Sequence, residues 1–315
     1  MKKYCIYDIV YMYKSDRFKP ILQILHVCYN LGKDDNMAML PTGFNPKYLE
    51  AIRQFRLIDD TFFDVCFDGN IEGMQLLLRI FFKSDDIVVR EVITQKSATN
   101  LYGRSARFDV IAVDGNGKIY NVEIQRSNEG ANPKKARFNN SLIDSRKINK
   151  NTAYADFPEV WIIFITEKDI FGANLPMYHV ERNIMELNKP FGDGAHIIYV
   201  NGEYKETNEL GMLMRDFFCS EPSEMHYPEL AKCVDFFKNN DKGVSTLCEI
   251  MEKLHEEGRA EGRAEGRAEG WQEGSLQRAN DTAMKMLKKN EPIEKIIEYT
   301  SLTNQQIQEL AKQIQ

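Results

Sequence analysis

A β-hairpin between Arg107 and Gln125 constrains this chain more than any other feature. The runs Arg107-Phe108-Asp109-Val110-Ile111-Ala112-Val113 and Ile119-Tyr120-Asn121-Val122-Glu123-Ile124-Gln125 flank Asp114-Gly115-Asn116-Gly117-Lys118. Alternating β-branched and aromatic residues around a Gly/Asn/Asp cluster signal two strands and a tight turn. A loop of three or five residues sets Asp109 opposite Glu123 and gathers Phe108, Val110, Ala112, Tyr120, Val122 and Ile124 on one apolar face. A two-residue Asn116-Gly117 turn would slip the pairing by one and mix the faces, so the first register is expected.

Directly opposed strand residues have Cβ atoms about 4.5–5.5 Å apart, where like charges repel. Two carboxylates held there need a proton, a cationic neighbour or a metal between them. Hard divalent ions accept such oxygens together with water and substrate phosphates. The residues themselves leave two readings open: a metal-dependent phosphodiester site, or a solvated hairpin face.

Composition sets the frame for both. At 315 residues and 43% hydrophobic, the chain can bury one medium core with appendages. Its net charge is −6, yet ten Lys/Arg stand against five Asp/Glu between Arg104 and Lys150. Local basicity within an acidic protein suits an anionic substrate groove, and equally a solvated helix face. Cys5, Cys28, Cys66, Cys219, Cys233 and Cys248 form no CxxC pair, and none has a His at zinc-ligand spacing. They are expected to be reduced thiols of a cytoplasmic protein. No apolar run approaches a membrane span, and charged residues interrupt the N-terminus too early for a signal peptide. His26, His179, His196, His226 and His255 lack spaced partners and receive no role.

Local patterns organise the rest. Ile71 to Phe82 carries apolar residues at helical spacing, Ile87 to Thr94 reads as a strand, Pro133 opens a basic helix to about Lys150, and Val160 to Thr166 is a buried strand. Further on, Ala195 to Val200 is a strand, Leu210 to Phe218 a helix, and Asp235 to His255 has helical spacing. The expected domains are an N-terminal extension over 1–45, a main domain over 46–255, a spacer over 256–274 and a helical module over 275–315. In the spacer, Gly-Arg-Ala-Glu repeats every four residues, so a helix there would set Glu against Glu and Arg against Arg at i,i+4. With a Gly in each repeat costing about 1 kcal/mol, a loose, helix-prone tether is expected. In the module, Glu291-Pro292 starts one short helix and Thr303 caps another. Its balanced charge favours packing or self-association over reading DNA.

Several segments together resemble the PD-(D/E)XK nuclease superfamily, and more narrowly the Rpn-type recombination-promoting nucleases, or PD-(D/E)XK family transposases. They are Leu57-Ile58-Asp59-Asp60-Thr61-Phe62-Phe63, Tyr120-Asn121-Val122-Glu123-Ile124-Gln125-Arg126, Ser141-Leu142-Ile143-Asp144-Ser145 and Gly194-Ala195-His196-Ile197-Ile198-Tyr199-Val200-Asn201-Gly202. The resemblance covers residues 45 to 255. It implies an α/β (α+β) fold with an αβββαβ core and a helical C-terminal tail, cutting DNA with a divalent metal, magnesium foremost and manganese or calcium as alternatives. It makes Asp109 and Glu123 the metal ligands. Gln125 stands where the superfamily signature has Lys, so the missing cation is sought at Arg126, Lys134, Lys135 or Arg137. These residues and Arg107 are the candidates for gripping the phosphate backbone. Glu72, on the first core helix, is where many members place a supporting acid, although a solvent-facing residue fits equally. Relatives tend to have Arg-Ala-Arg-Tyr-Tyr where this chain has Lys135-Ala136-Arg137-Phe138-Asn139, which bears on substrate contacts. Family members start at a point corresponding to Met37 or Met39, so residues 1–36 are read as an extension or the product of an upstream start. The expected function is a metal-dependent DNA endonuclease linked to recombination or mobile elements. The alternative is a nuclease fold, weak or inactive, that binds nucleic acid or self-associates, with a homo-oligomer formed through the C-terminal helices.

Overall fold

The computed structural model describes residues 46–98, 106–127, 130–147 and 152–313. The expected extension over 1–45, with Cys5, Cys28 and His26, lies outside them.

The first unit runs to Met251. It opens with three helices, α1 (Pro46–Gln54), α2 (Asp60–Phe67) and α3 (Ile71–Phe82). Helix α3 forms over the span its apolar spacing predicts. Asn70 caps it by accepting the Gly73 N–H at 2.9 Å, one of the donors a helix start leaves without an intrahelical partner. A Cβ at Gly73 would meet the Asn70 amide at 2.8 Å, so a larger residue there would require the capping side chain to shift. Strands β1 (Val89–Ala98), β2 (Ala106–Asp114) and β3 (Ile119–Gln125) follow, then α4 (Pro133–Lys147) and β4 (Val160–Thr166). From α3 onward this is the αβββαβ order. Strand β5 (Met177–Val180), the small hairpin of β6 (Asn183–Ile184) and β7 (Lys189–Pro190), β8 (Ala195–Asn201), α5 (Glu209–Phe217) and α6 (Pro228–Asn239) complete it.

The main sheet has the order β1-β2-β3-β4-β8-β5. Strands β1, β2 and β3 pair antiparallel, while β3, β4 and β8 run parallel. The pairing of β2 with β3 sets Val110 against Val122 and Val113 against Ile119, the register expected from the apolar alternation. Asp114 closes the turn, its Oδ1 accepting the Asn116 and Lys118 N–H groups, each at 2.9 Å. Gly117 supplies the positive φ of 81° that the turn needs.

Each sheet face carries its own core. Helices α1, α2, α3, α5 and α6 bury Phe62, Phe63, Phe67, Phe81 and Phe217 against a face containing Val110, Val122, Ile124, Ile163 and Val200. Helix α4 covers the other face, packing Ala136, Leu142 and Ile143 against Ile111, Ile119, Ile162 and Phe164. Each fully buried Phe contributes about 1.5–3 kcal/mol. Phe108 joins this second core instead of the first, where the alternation had placed it with Val110.

Helix α7 (Asp241–Leu287) spans 47 residues, including the whole Gly-Arg-Ala-Glu repeat. The repeat is helical where a loose tether was expected. Its start packs Val244, Leu247, Cys248 and Met251 into the first core, so the helix is already nucleated when the repeat begins. The Ala, Glu and Arg of the repeat are good helix formers that then propagate it. In the second unit, the end of α7 packs with α8 (Ile293–Thr300) and α9 (Asn304–Lys312) around Ala283, Ile296, Leu302 and Ile307. Thr303 caps α9 in a full capping box with Gln306. No helix among the described residues is long and apolar enough to cross a membrane.

Candidate active site

The pairing of β2 with β3 opens just beyond Val110 and Val122, and the acids of the hairpin sit at that opening. The Ile124 N–H donates to Asp109 Oδ2 at 2.9 Å, and the Asp109 N–H donates to Glu123 Oε1 at 3.4 Å. Side chains thus take over backbone bonds that would otherwise continue the ladder.

Helix α2 approaches Asp109 from one sheet face. Asp60 and Asp64, one turn apart, bring carboxylate oxygens within 4.8 Å of one another and of Asp109. Burial first, then the charges of Glu123, Asp60 and Asp64, push the Asp109 carboxyl well above its ordinary range, with Lys135 opposing. Asp60 is raised as well, by burial and then by Glu123, with Lys135 and Arg107 opposing. Asp60 Oδ1 is buried without a hydrogen-bond partner among the described residues. Crowded oxygen donors that repel one another fit a hard divalent cation. Two oxygens on one magnesium lie at most about 4.2 Å apart and on calcium about 5 Å, and the cluster is near that size.

Glu123 is reached from the other face. It is fully buried, and its Oε1 accepts from Asn121 Nδ2 at 2.9 Å and Asn139 Nδ2 at 3.4 Å. Its Oε2 lies 2.7 Å from Lys135 Nζ. Asn139 also donates to Asn121 Oδ1 at 3.0 Å, so the position expected to carry a phenol holds a buried amide that orients Glu123. Burial lowers the affinity of Lys135 for its proton, but Glu123 and Asp109 outweigh it, and the ammonium titrates above its ordinary value. The hairpin pair therefore differs in its contacts. Asp109 converges with two aspartates from α2, and Glu123 is paired with a lysine from α4.

The remaining candidates sort by what they touch. Gln125 is half-buried, its side chain so close to Gly130 that a Cβ there would come within 1.8 Å of Oε1. Arg126 forms ion pairs with Asp59 at 2.7 Å and Glu167 at 2.8 Å, which ties it into the scaffold. Arg107 is exposed and near enough to act on Asp60, and Lys134 and Arg137 are exposed on α4. Glu72 is exposed on the first turn of α3 and is not among the acids that meet Asp109; the preceding helix supplies them. Glu72→Gln should accordingly leave any activity within about twofold of wild type, as surface substitutions usually do, measured as initial cleavage rates side by side.

Sequence reasoning did not find Asp60, Asp64 or Asn121. The available signal was two acids four residues apart, which share one helix face.

Residues 70–211 match the model of a family described as PD-(D/E)XK nuclease family transposase. The match begins after Asp60 and Asp64 and takes in Asp109, Glu123 and Lys135. No curated protein and no solved structure matches the chain.

Proposed function

We propose that this chain, with its PD-(D/E)XK nuclease family transposase domain over residues 70–211, is a metal-dependent endonuclease that hydrolyses phosphodiester bonds in DNA. The observation that carries the reading is the meeting of Asp60, Asp64 and Asp109 beside the Glu123–Lys135 pair. The three aspartates would hold a divalent cation, magnesium foremost, through hard oxygen donors. When bound, the cation polarises the scissile phosphate and lowers the pKa of the attacking water.

The chain's own groups do the rest. Lys135 carries the positive charge that Gln125 lacks and presents it toward the charge developing on phosphorus. Glu123 keeps that ammonium protonated and in place, and Asn121 and Asn139 fix Glu123. Arg126 braces α2 against the start of the segment after β4 through Asp59 and Glu167. Arg107, Lys134 and Arg137, all exposed, contact neighbouring phosphates.

Incubation with supercoiled plasmid tests this. Nicked and linear DNA should accumulate with magnesium or manganese and vanish with chelator. Binding without cutting in either metal would support the alternative, a nuclease fold retained for binding or self-association.

A further inference from the structure

A second cluster of charge, of opposite sign, adjoins the acids and plays no part in the chemistry above. Asp59, next to Asp60, lies 3.5 Å from Arg56 and 2.7 Å from Arg126, and the Ile58 N–H donates to Phe217 O at 3.0 Å. The end of α5 is thereby held against the segment that delivers Asp60. At that end the Phe218 ring collects two cations, Lys205 Nζ at 3.7 Å from its centroid and the Arg56 guanidinium at 5.8 Å. Arg215 joins them, its Nε donating to Lys205 O at 3.0 Å.

We propose that Arg56, Lys205 and Arg215 form an anion site for a backbone phosphate of the bound nucleic acid, beside the phosphate that is cut. The proposal deepens the nuclease reading and rests on it.

Charge balance is the main support. Among the described residues no carboxylate pairs with Lys205 or Arg215. Asp59, which pairs with Arg56, is shared with Arg126 and lies closer to it. Asp216, beside Arg215 in sequence, is buried and accepts the His226 and Tyr227 N–H groups instead. Burial, then Arg215 and Arg56, hold the Lys205 ammonium down to about 8. Helix capping explains part of the arrangement, since Lys205 Nζ donates to Met214 O in the last turn of α5. One cation is enough to complement a helix C-terminus, however. Three clustered cations are stabilised by an anion with several oxygens, and guanidinium and ammonium groups make charge-assisted hydrogen bonds to phosphate oxygens. Position agrees, because the cluster leads directly off the residue before Asp60.

The test uses the full chain and a fluorescent duplex of about 20 base pairs in calcium or chelator, with affinity followed by anisotropy across a salt series. Each phosphate contact on duplex DNA contributes about 0.9 to the slope of log affinity against log salt. The variant Lys205→Gln/Arg215→Gln should lose about 2 from the slope and about tenfold or more in affinity at 0.1 M salt. In magnesium its KM for DNA should rise similarly while kcat stays within about twofold. Lys205→Arg should stay near wild type, and Arg215→Gln alone, at an exposed position, should lose about 1 from the slope even if the Lys205 variants melt early. A wild-type slope in Arg215→Gln and in the double variant, with wild-type cleavage intact, overturns the anion site and leaves the nuclease standing. A wild-type protein that neither binds nor cuts DNA overturns both.

Discussion

Asp109→Asn should abolish metal-dependent nicking, by about 10³-fold or more, and should also raise the melting temperature of the metal-free protein at pH 7. The first effect follows from losing one of three converging carboxylates. A metal's stabilisation of transition-state charge amounts to several kcal/mol, and each 1.36 kcal/mol is tenfold in rate. The second follows from electrostatics. Burial, then Glu123, Asp60 and Asp64, raise the pKa of Asp109 in the folded state above its unfolded value. The folded protein therefore holds that proton more tightly than the unfolded chain does. Stability on this account is fully present below the unfolded pKa and is lost as pH rises through the folded one. At pH 7, above the unfolded pKa, Asp109 therefore costs stability, a cost that an amide avoids while its oxygen can still accept the Ile124 N–H. Relief of about 1 kcal/mol moves the midpoint of a domain of this size by about 2–4 °C. Magnesium should close the gap from the other side, raising the melting temperature of wild type and not of the variant, because only a ligand bound by the folded state stabilises it. Thermal melts with and without magnesium, beside plasmid nicking, check all three effects. An Asp109→Asn protein that cuts like wild type, or melts well below it without metal, refutes the assignment.

The hairpin was legible because its information is local. Alternation along two short runs fixes which residues face the core, and Val110, Ala112, Tyr120, Val122 and Ile124 do share one. Phe108 departs from that pattern where Asp109 breaks the ladder, an event that depends on side chains competing for the Ile124 N–H. The partners of Asp109 were not legible. Asp60 and Asp64 have the spacing of any solvated helix face, and only the packing of Phe62, Phe63 and Phe67 turns that edge of α2 inward. Glu72 had the same local credentials and faces solvent. The cation showed a similar limit. Four basic residues were candidates, and the choice of Lys135 depends on how α4 is rotated when Ala136, Leu142 and Ile143 pack on the sheet. The repeat, expected to be helix-prone but loose, forms a continuous helix for a different reason. Its pairwise charges and glycines argue against an isolated helix, but a chain entering it from a packed helix does not have to nucleate again.

Lys135→Met should lower kcat by about 10²–10³-fold, the loss seen when one preorganised electrostatic donor is removed, and should lower stability as well. The two losses have different origins and can be separated. Catalytically, Lys135 is the cation placed beside the acids, with Arg126 occupied by Asp59 and Glu167 and with Gln125 uncharged. Structurally, Lys135 is the counter-ion of a carboxylate with no solvent exposure. Breaking a fully buried pair costs about 3–5 kcal/mol; Lys135 is 34% exposed, so solvent screening should reduce this to about 2 kcal/mol. Adding Glu123→Gln removes the stranded charge while keeping an oxygen for Asn121 and Asn139. The double variant should therefore recover most of the stability and none of the activity. Urea unfolding and single-turnover cleavage on wild type, both single variants and the double variant complete the cycle. Recovery of cleavage together with stability would mean that Lys135 acts only as a structural counter-ion, and the positive charge at the scissile phosphate would then have to come from elsewhere on the chain.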